Sequence, residues 1–352
     1  MADHHLGCCP YHAAMSQPLR FGIISTGKIA GTFATDFAKV EGAELVAVAS
    51  RNADGAAAFA AEHGIERWHD SYQALASDPD IDVAYVATPH SRHVDDTCML
   101  LEAGKHVLCE KPFAINAAEA ERMVAAARDN DRFLMEAMWA RFSPAWIEAR
   151  GQLEVGAIGE PRVLSAEFCF PTPDDVSHRL RDPARGGGSL LDLGVYPLGL
   201  GWYLFGEPDE VVARGVVADG IDHTTTMLAS WPGGVTGRLV TSIDAHFAIT
   251  ANLLGSTGSI TWELPFHSAG AITVQNSDGE SRIETSDNGL HHQAQHVVEC
   301  VADGLRESPV VPHEYTLAMM RRLDDVRDQI GLRYPDHDTT SAEADGQDGT
   351  HG

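Results

Sequence analysis

A carboxylate and a phenol stand four residues apart in the stretch GGGSLLDLGVYP, which spans residues 186–197. Positions i and i+4 of an α-helix lie on one face, so a helix here would place Asp192 beside Tyr196 among apolar side chains. A buried structural hydrogen bond and a site for proton transfer are both compatible with this spacing. The three leading glycines are predicted to let the chain pass close to a ligand before the helix begins.

A lysine at the end of a strand is the second candidate. The run AGKHVLCEKP places Glu110 and Lys111 after a predicted parallel strand, which Pro112 ends. Ligands of open α/β sheets bind outside the carboxyl ends of the strands, so Lys111 is predicted to face a cleft. A solvated lysine is the alternative interpretation. The chain has only three other lysines, at positions 28, 39 and 105.

A glycine-bearing turn near the start of the chain is predicted to hold a dinucleotide. In FGIISTGKIAGTF the turn follows a strand and opens a helix, so backbone amides and the helix dipole can receive a pyrophosphate. Compared with the pattern GxGxxG, Ser25 and Ala30 replace the outer glycines and Gly27 is kept. An ordinary strand-to-helix turn is the alternative interpretation. The predicted contacts are Ser25, Thr26, Gly27, Lys28 and Ile29.

The end of the second strand, VAVASRN, bears on which dinucleotide binds. An acidic residue usually holds the ribose 2′-hydroxyl at this place, whereas Ser50 and Arg51 offer donors to a 2′-phosphate. We therefore predict NADP as the cofactor, with NAD as the second candidate. A solvated Arg51 is the alternative interpretation.

Hydrophobic patterning predicts the elements that position these residues. From Leu19, short apolar runs alternate with helical segments, which indicates βαβ units and a doubly wound parallel sheet with RFLMEAMWARF as its last strand. After Pro144, strands joined by Gly-containing turns indicate an antiparallel sheet. We predict a Rossmann domain over residues 19–144, an α+β domain over 145–335, and disordered tails over 1–18 and 336–352.

Composition argues against several functional classes. A net charge of −26 with no compensating basic stripe argues against nucleic acid binding, and no apolar run reaches membrane-spanning length. The six cysteines lack the spacing of a disulfide framework or a zinc ribbon, which favours the reducing cytoplasm. No metal site is predicted. A cluster in the N-terminal tail has no standard ligand spacing; it contains His4, His5, Cys8, Cys9 and His12. A second group lacks an acidic third ligand; it contains His291, His292 and His296.

Several of these segments together resemble a known family. The stretches GIISTGKIA, ATPHSRH, AGKHVLCEKP and GGGSLLDLGVYP, in this order and spacing, resemble the Gfo/Idh/MocA family of NAD(P)-dependent oxidoreductases. MEAMWARFSP, ESPVVPHEYTLAMM and LDDVRDQIGLRYP are similar to its dihydrodiol dehydrogenase and NADP-dependent xylose dehydrogenase branch. The resemblance runs from Leu19 to about Pro335. It implies a Rossmann domain followed by an α+β domain with a large, open, mainly antiparallel sheet that often serves oligomerisation.

The resemblance also implies roles for individual residues. Lys111 would contact the nicotinamide ribose and the substrate hydroxyl, Asp192 would orient the substrate, and Tyr196 would be the general acid/base. We expect the Lys111 ammonium to lower the pKa of Tyr196 from about 10, the ordinary tyrosine value. Lys111 or Asp192 as the proton carrier is the competing assignment. The residues that would border the cofactor are Thr88, Pro89, His93 and Glu110.

By similarity to the same branch, the substrate-facing wall would contain Trp139, Phe168 and Phe266, and Arg141 would contact a polar group; ordinary core packing is the alternative for these residues. The resulting expectation is a homodimeric or larger NADP-dependent dehydrogenase or reductase. Its substrate would be a secondary alcohol or carbonyl of a sugar, cyclic polyol or dihydrodiol. The alternatives are an inositol-type NAD-dependent dehydrogenase and a non-catalytic NAD(P)-binding sensor.

Overall fold

The computed structural model describes residues 17–175 and 177–338. The tail cluster of histidines and cysteines lies outside the described residues, as does nearly all of both predicted tails. Residues 336–338 are described, and here the chain is held more firmly than predicted, because the Asp338 carboxylate accepts hydrogen bonds from Arg327 and from the Tyr334 amide. Among the helices described, none combines the length and apolar character needed to cross a bilayer.

The first half of the chain forms a six-stranded parallel sheet with helices between the strands. The strand order is β3-β2-β1-β4-β5-β6, the order of a dinucleotide-binding Rossmann sheet. Strands β4, β5 and β6 are almost wholly buried, as apolar strands covered on both faces should be. The elements are β1 (Leu19–Ile24), α1 (Lys28–Asp36), β2 (Ala43–Ala49), α2 (Ala53–His63), β3 (Arg67–His69), α3 (Tyr72–Ala76), β4 (Val83–Val86), α4 (His93–Glu102), β5 (His106–Glu110), α5 (Ala117–Asp129) and β6 (Leu134–Ala137).

The last predicted strand of this half is shorter than expected. RFLMEAMWARF pairs with β5 only as far as Ala137, and Trp139–Phe142 forms a 3₁₀ turn instead. The turn moves Trp139 out of the sheet and toward the second half of the molecule, where its indole meets Tyr196.

The second half of the chain forms an eight-stranded sheet in the order β14-β13-β12-β11-β7-β10-β9-β8. Only the β7–β10 pair is parallel, so the sheet is mainly antiparallel, as predicted. The elements are α6 (Pro144–Glu154), β7 (Pro161–Cys169), α7 (Val195–Phe205), β8 (Glu210–Ala218), β9 (Ile221–Trp231), β10 (Val235–Ser242), β11 (Ala248–Gly255), β12 (Ser259–Trp262), β13 (Ala271–Asn276), β14 (Gly279–Glu284), α8 (His291–Ala302) and α9 (His313–Ile330).

Helices cover one face of the second sheet and connect it to the first. Helix α7 packs on β7 and β10, and α9 packs on β8 and also on α5 of the Rossmann half. The residues of β7 alternate accordingly, with Leu164, Ala166 and Phe168 buried. The predicted fold class, a Rossmann domain joined to an α+β domain, is confirmed.

The three glycines before Asp192 are required by protein packing. Gly186 and Gly188 have φ angles of 72° and 112°. A Cβ at Gly186 would lie 2.3 Å from the Ile115 side chain, and one at Gly188 would lie 2.3 Å from Oδ1 of Asp222. The predicted close approach is therefore an approach to other parts of the chain. It places the next residues, Leu190–Gly194, in a single π-helical stretch that leads into α7.

We expect Gly188→Ala to lower the free energy of unfolding by about 2–4 kcal/mol, because the new methyl group combines an unfavourable φ with a clash against Asp222. Urea denaturation would measure the change. Gly151→Ala is the matched control, since Gly151 lies inside α6 with nothing within 4 Å of its added Cβ. That substitution should raise stability by about 0.5–1 kcal/mol. Equal effects of the two substitutions would contradict this account of the turn.

Candidate active site

A cavity of about 720 Å³ lies where the carboxyl ends of β1, β4 and β5 meet the second half of the chain. The Rossmann half contributes the turns after these strands, and the second half contributes Arg179, Asp192 and Tyr196. A somewhat larger cavity of about 840 Å³ lies between α5 and α9. It is lined by arginines and acidic residues and contains none of the predicted site residues, so the 720 Å³ cavity is the candidate active site.

The turn after β1 has the features of a dinucleotide cradle. Ser25 takes a φ of 103°, which turns the chain sharply into α1. Gly27 caps the helix without any side-chain hydrogen bond, and no acidic residue stands in the first turn. The Gly27 amide donates to the Ser25 hydroxyl at 3.3 Å, so an anion such as a pyrophosphate would be bound by the other amide groups of the first helical turn. Ser25, Gly27, Lys28 and Ile29 line the cavity, and Thr26 lines a shallower recess beside it.

Ser50 and Arg51 lie at the carboxyl end of β2, outside the residues that line the cavity. The Ser50 hydroxyl accepts a hydrogen bond of 3.2 Å from the Asn52 amide, and Arg51 is exposed. Their contact with a 2′-phosphate stays a prediction.

The predicted cofactor-bordering residues line the cavity together. Thr88, Pro89 and His93 do so at the end of β4, and Glu110 does so at the end of β5. His93 is fixed in place because its two ring nitrogens lie 2.9 Å from the carbonyl oxygens of Thr88 and Pro112. Burial lowers the pKa of His93 to about 4.

Glu110 is held by protein groups. The Tyr85 hydroxyl donates to its Oε1 at 2.5 Å, and the Lys111 amide donates to its Oε2 at 3.2 Å. Burial raises the pKa of Glu110, although the nearby Lys111 ammonium opposes this rise. Glu110 therefore stiffens the backbone that carries Lys111.

Lys111 and Arg179 converge on the carboxylate of Asp192. The Lys111 ammonium donates to the Asp192 carbonyl oxygen at 2.9 Å and to Oδ1 at 3.2 Å. The Arg179 guanidinium donates to Oδ1 at 3.0 Å and to Oδ2 at 2.9 Å. The Nε2 atom of His90 is 3.5 Å from Oδ1. The site thus contains a buried carboxylate between two cations.

These contacts hold both members of the buried pair in their charged forms. Burial alone would raise the pKa of Asp192, but Lys111 and Arg179 outweigh it and hold that pKa well below the ordinary value. Burial alone would lower the pKa of Lys111, but Asp192, Tyr196 and Glu110 raise it overall. At neutral pH, Asp192 is therefore an anion and Lys111 a cation.

Tyr196 lies among aromatic rings at one side of this pair. Its hydroxyl oxygen accepts a hydrogen bond of 3.0 Å from the Trp139 indole, and its ring centroid is 4.9 Å from the Lys111 nitrogen. The rings of Phe168 and His267 have centroids 5.2 Å and 5.0 Å from that of Tyr196. Asp192 and Tyr196 both line the cavity, but the recorded hydrogen bonds of each lead to other residues.

The expectation that Lys111 lowers the pKa of Tyr196 below its ordinary value is wrong for this structure. Burial raises the pKa of Tyr196, and the Lys111 ammonium only partly offsets that rise. The reason is that the phenol is enclosed by aromatic rings, which solvate a phenolate poorly.

Three of the four residues predicted to contact the substrate lie outside the cavity lining. Arg141 donates to the Val310 carbonyl at 3.0 Å and stacks on Tyr315 at 4.1 Å. Phe266 is fully buried and stacks on Trp146, which is ordinary core packing, and Phe168 packs behind Tyr196. Trp139 lines the cavity, although it shares a 3₁₀ turn with Arg141, so successive residues of one turn face different surroundings.

Three residues of the site were missed in the sequence. His90 lies two residues after Thr88, and Arg179 belongs to the loop PTPDDVSHRLRDPARGG, whose residues carry no periodic pattern. His267 stacks on Phe168 at 4.8 Å, and burial, with help from Lys111, lowers its pKa to about 3. The only available signal was the TPH segment itself, which places His90 at a strand end.

The histidines at the start of α8 acquire an acidic neighbour in the fold. Asp287 lies 3.1 Å from Nε2 of His291, and His292 is close by, so three residues that could bind a metal ion lie together. The Lys39 ammonium, however, is 2.6 Å from the Asp287 carboxylate. A bound cation would have to displace this lysine and would also face the positive end of α8.

Comparison with known proteins decides the family. Residues 19–138 match the family model described as "Oxidoreductase family, NAD-binding Rossmann fold", and residues 146–261 match the GFO/IDH/MocA C-terminal domain. A trans-1,2-dihydrobenzene-1,2-diol dehydrogenase from Bos taurus is 38% identical over 331 residues, covering 90% of this chain and 98% of its own. The chain belongs to the GFO/IDH/MocA family. As a member, it is an NAD(P)-dependent oxidoreductase acting on CH–OH groups.

Relatives of this GFO/IDH/MocA protein include the human trans-1,2-dihydrobenzene-1,2-diol dehydrogenase, 37% identical over 332 residues, covering 90% of this chain and 98% of its own. Among solved structures, an aldose-aldose oxidoreductase from Caulobacter crescentus complexed with glycerol superposes with a TM-score of 0.81 at 27% identity, covering 89% of this chain and 97% of its own. A 3-ketoreductase from Actinomadura kijaniata in complex with NADP also has a TM-score of 0.81 at 27% identity, covering 89% and 98%.

Proposed function

We propose that this protein transfers hydride between NADP(H) and a secondary alcohol or carbonyl of a dihydrodiol, sugar or cyclic polyol, with Tyr196 as the general acid/base. The observation that carries the proposal is the convergence of Lys111, Asp192 and Tyr196 on one cavity that also contains the dinucleotide turn. The nicotinamide, when bound, supplies or accepts the hydride. The protein's own residues must then bind the substrate and move one proton.

Tyr196 suits the proton-transfer role in the direction of reduction. A phenol with a raised pKa stays protonated at neutral pH, so it can donate to a carbonyl oxygen as hydride reaches the carbon. The phenolate left behind is stabilised by the Trp139 indole, which donates to its oxygen, and by the Lys111 ammonium near its ring. In the direction of oxidation the same phenolate takes the proton back.

The competing proton carriers are less suitable. Lys111 has a raised pKa and Asp192 a strongly lowered one, because each stabilises the charge of the other. Asp192, as an anion, has no proton to give in the direction of reduction, and loss of a proton from Lys111 would remove one of the two cations that pair with the buried Asp192 carboxylate. We infer that Asp192 orients Lys111 and the substrate hydroxyl and that Lys111 stabilises negative charge on the reacting oxygen.

The substrate class follows from the aromatic residues and from the relatives. Trp139 stands beside Tyr196 in the cavity lining, and its flat aromatic ring suits the face of an unsaturated ring or of a sugar. The most similar curated proteins reported above are dihydrodiol dehydrogenases, and a structural neighbour was crystallised with glycerol. We therefore place trans-dihydrodiols first and aldoses second.

A cofactor-reduction screen tests the proposed function. Purified protein would be incubated with NADP⁺ or NAD⁺ and with trans-dihydrodiols, aldoses, inositols or deoxyketosugars, and absorbance of the reduced cofactor would be followed. We expect turnover with a dihydrodiol or an aldose and NADP⁺. Turnover of inositols with NAD⁺ alone would favour the inositol-type dehydrogenase. Tight NADPH binding without any turnover across the panel would favour the sensor.

Arg51→Ala is expected to raise the dissociation constant for NADPH about tenfold to a hundredfold and to leave that for NADH nearly unchanged. The reason is the loss of a charge-assisted contact to the 2′-phosphate. Fluorescence titration of both cofactors would measure it. Arg162→Ala is the matched control, because Arg162 is equally exposed but lies on β7 beside Glu160. Equal losses of NADPH and NADH affinity would overturn the assignment of Arg51.

We also propose that a second copy of this chain covers the open face of the eight-stranded sheet. That face exposes the apolar side chains of Val163, Val212, Leu228 and Leu254, whose exposed fractions are 37–59%. Sedimentation velocity should give a dimer or larger species, and a monomer at micromolar concentration would contradict the proposal.

The buried or half-buried free cysteines at positions 98, 109, 169 and 300 suit the cytoplasmic location that we infer. Cell fractionation would test it.

A further inference from the structure

Arg179 is the cavity residue that donates to both oxygens of the Asp192 carboxylate. It lies in the loop between β7 and the glycine turn, and its side chain is 53% exposed, whereas that of Asp192 is 4% exposed. The two side chains form a bidentate pair, with distances of 3.0 Å and 2.9 Å. Within the described chain, the recorded partner of Asp192 Oδ2 is Arg179, because Lys111 and His90 approach Oδ1. Loss of Arg179 would therefore leave a buried carboxylate oxygen unpaired.

The loop that carries Arg179 is attached to its surroundings directly after that residue. Arg181 donates to the Thr172 hydroxyl at 2.9 Å and to the Asp244 carboxylate at 2.5 Å. The Gly188 amide donates to the Leu180 carbonyl at 2.9 Å, which joins the loop to the glycine turn. These contacts hold the backbone next to Arg179, whose guanidinium donates to Asp192.

We propose that Arg179 is a positioning residue that keeps Asp192 ionised and aimed at Lys111, and so sets the position of the Lys111 ammonium beside Tyr196. This inference deepens the proposed function and rests on it. Arg179 donates to both oxygens of the Asp192 carboxylate, and Lys111 also donates to Oδ1. The carboxylate therefore cannot rotate without breaking two charge-assisted hydrogen bonds. The charged and titratable groups that face Asp192 come from four places: Glu110 and Lys111 from the end of β5 and the residue after it, His178 and Arg179 from the loop, His90 from the turn before α4, and Tyr196 from α7.

The test compares Arg179→Met with Arg179→Lys and with Arg333→Met. Arg333 is the matched control, because it is 54% exposed and pairs with Asp328 but lies outside the cavity lining. We expect Arg179→Met to lower kcat about tenfold to a hundredfold with little change in the NADPH dissociation constant. Arg179→Lys should recover part of the loss, since it restores the charge without the bidentate geometry. Arg333→Met should leave kcat within about twofold of wild type.

A second measurement does not depend on turnover. The lowered pKa of Asp192 means that its pairing stabilises the fold above the ordinary Asp value of about 4 and that this contribution is lost as pH falls toward the folded-state pKa. The urea midpoint of wild type should therefore exceed that of Arg179→Met by a constant amount above about pH 5, and the gap should close in more acidic solution. Arg333→Met should show no such closing gap.

Two outcomes would overturn the inference. One is an Arg179→Met protein whose kcat matches that of Arg333→Met, or that changes only KM. The other is a urea midpoint gap that does not vary with pH. A wild-type protein that turns over no substrate would contradict the proposed function instead, and the urea comparison would still report whether Arg179 keeps Asp192 ionised.

Discussion

Tyr196→Phe is expected to lower kcat/KM for the best substrate about 10²- to 10⁴-fold, the usual contribution of a positioned acid or base. The substitution removes only the hydroxyl oxygen and keeps the ring in contact with Phe168 and His267. The proton that must reach the substrate oxygen then has to come from water or from Lys111, whose ammonium already donates to Asp192. Steady-state kinetics in both directions would measure the loss.

The control for this substitution is Trp139→Phe. It removes the indole donor to the Tyr196 oxygen but leaves the phenol, so it should reduce kcat/KM by only about tenfold. NADPH affinity should be close to wild type in both variants, since the dinucleotide turn is untouched. A Tyr196→Phe enzyme with near-normal turnover would show that another group carries the proton.

Lys111→Met is expected to lower kcat/KM about a thousandfold, similar to the removal of a group that stabilises a developing oxyanion. Two effects combine. The reacting oxygen loses a cation, and Asp192 loses donors to both its carbonyl oxygen and its Oδ1. Because Asp192 then depends on Arg179, we expect its orientation to relax as well.

Lys39→Met is the matched control for Lys111→Met, as it makes the same chemical change at a half-exposed lysine outside the cavity. It should leave kcat/KM unchanged within about twofold. Restoration of activity to Lys111→Ala by added alkylamines would support the role of a cation at this position. If Lys111→Met kept normal kcat and changed only KM, Lys111 would be a substrate-binding group without a part in the chemical step.

The order of elements in the first half could be predicted because parallel strands are buried on both faces and read as short apolar runs. Two strands are hard to recognise in the sequence, β3 in the first half and β14 in the second. Strand β3 has three residues, too few for a pattern, and β14 is exposed along most of its length, so its sequence does not alternate. The strand predicted over RFLMEAMWARF ends at Ala137, because pairing with β5 stops there and tertiary contacts favour a turn at Trp139.

The candidate site could be predicted only where chemistry coincides with a strand end or with a family motif. Lys111 stands directly after β5, and the turn at Gly27 stands directly after β1, so topology alone places both at one edge of the sheet. Arg141 and Phe266 were predicted from similarity, yet short 3₁₀ turns direct them into the core. Whether an aromatic side chain faces a cavity or the core depends on one turn of backbone, which residue type does not reveal.

The sequence by itself determined the two-sheet architecture, the dinucleotide turn and the membership of the GFO/IDH/MocA family, because these depend on local hydrophobic patterns and on contiguous motifs. Only the tertiary structure decided what surrounds Asp192. Arg179 reaches it from an irregular loop 13 positions earlier, His90 from the turn before α4, and Lys111 across 81 positions. The same enclosure raises the pKa of Tyr196 despite Lys111, since desolvation depends on the whole shell of neighbours and a sequence spacing reports only one of them.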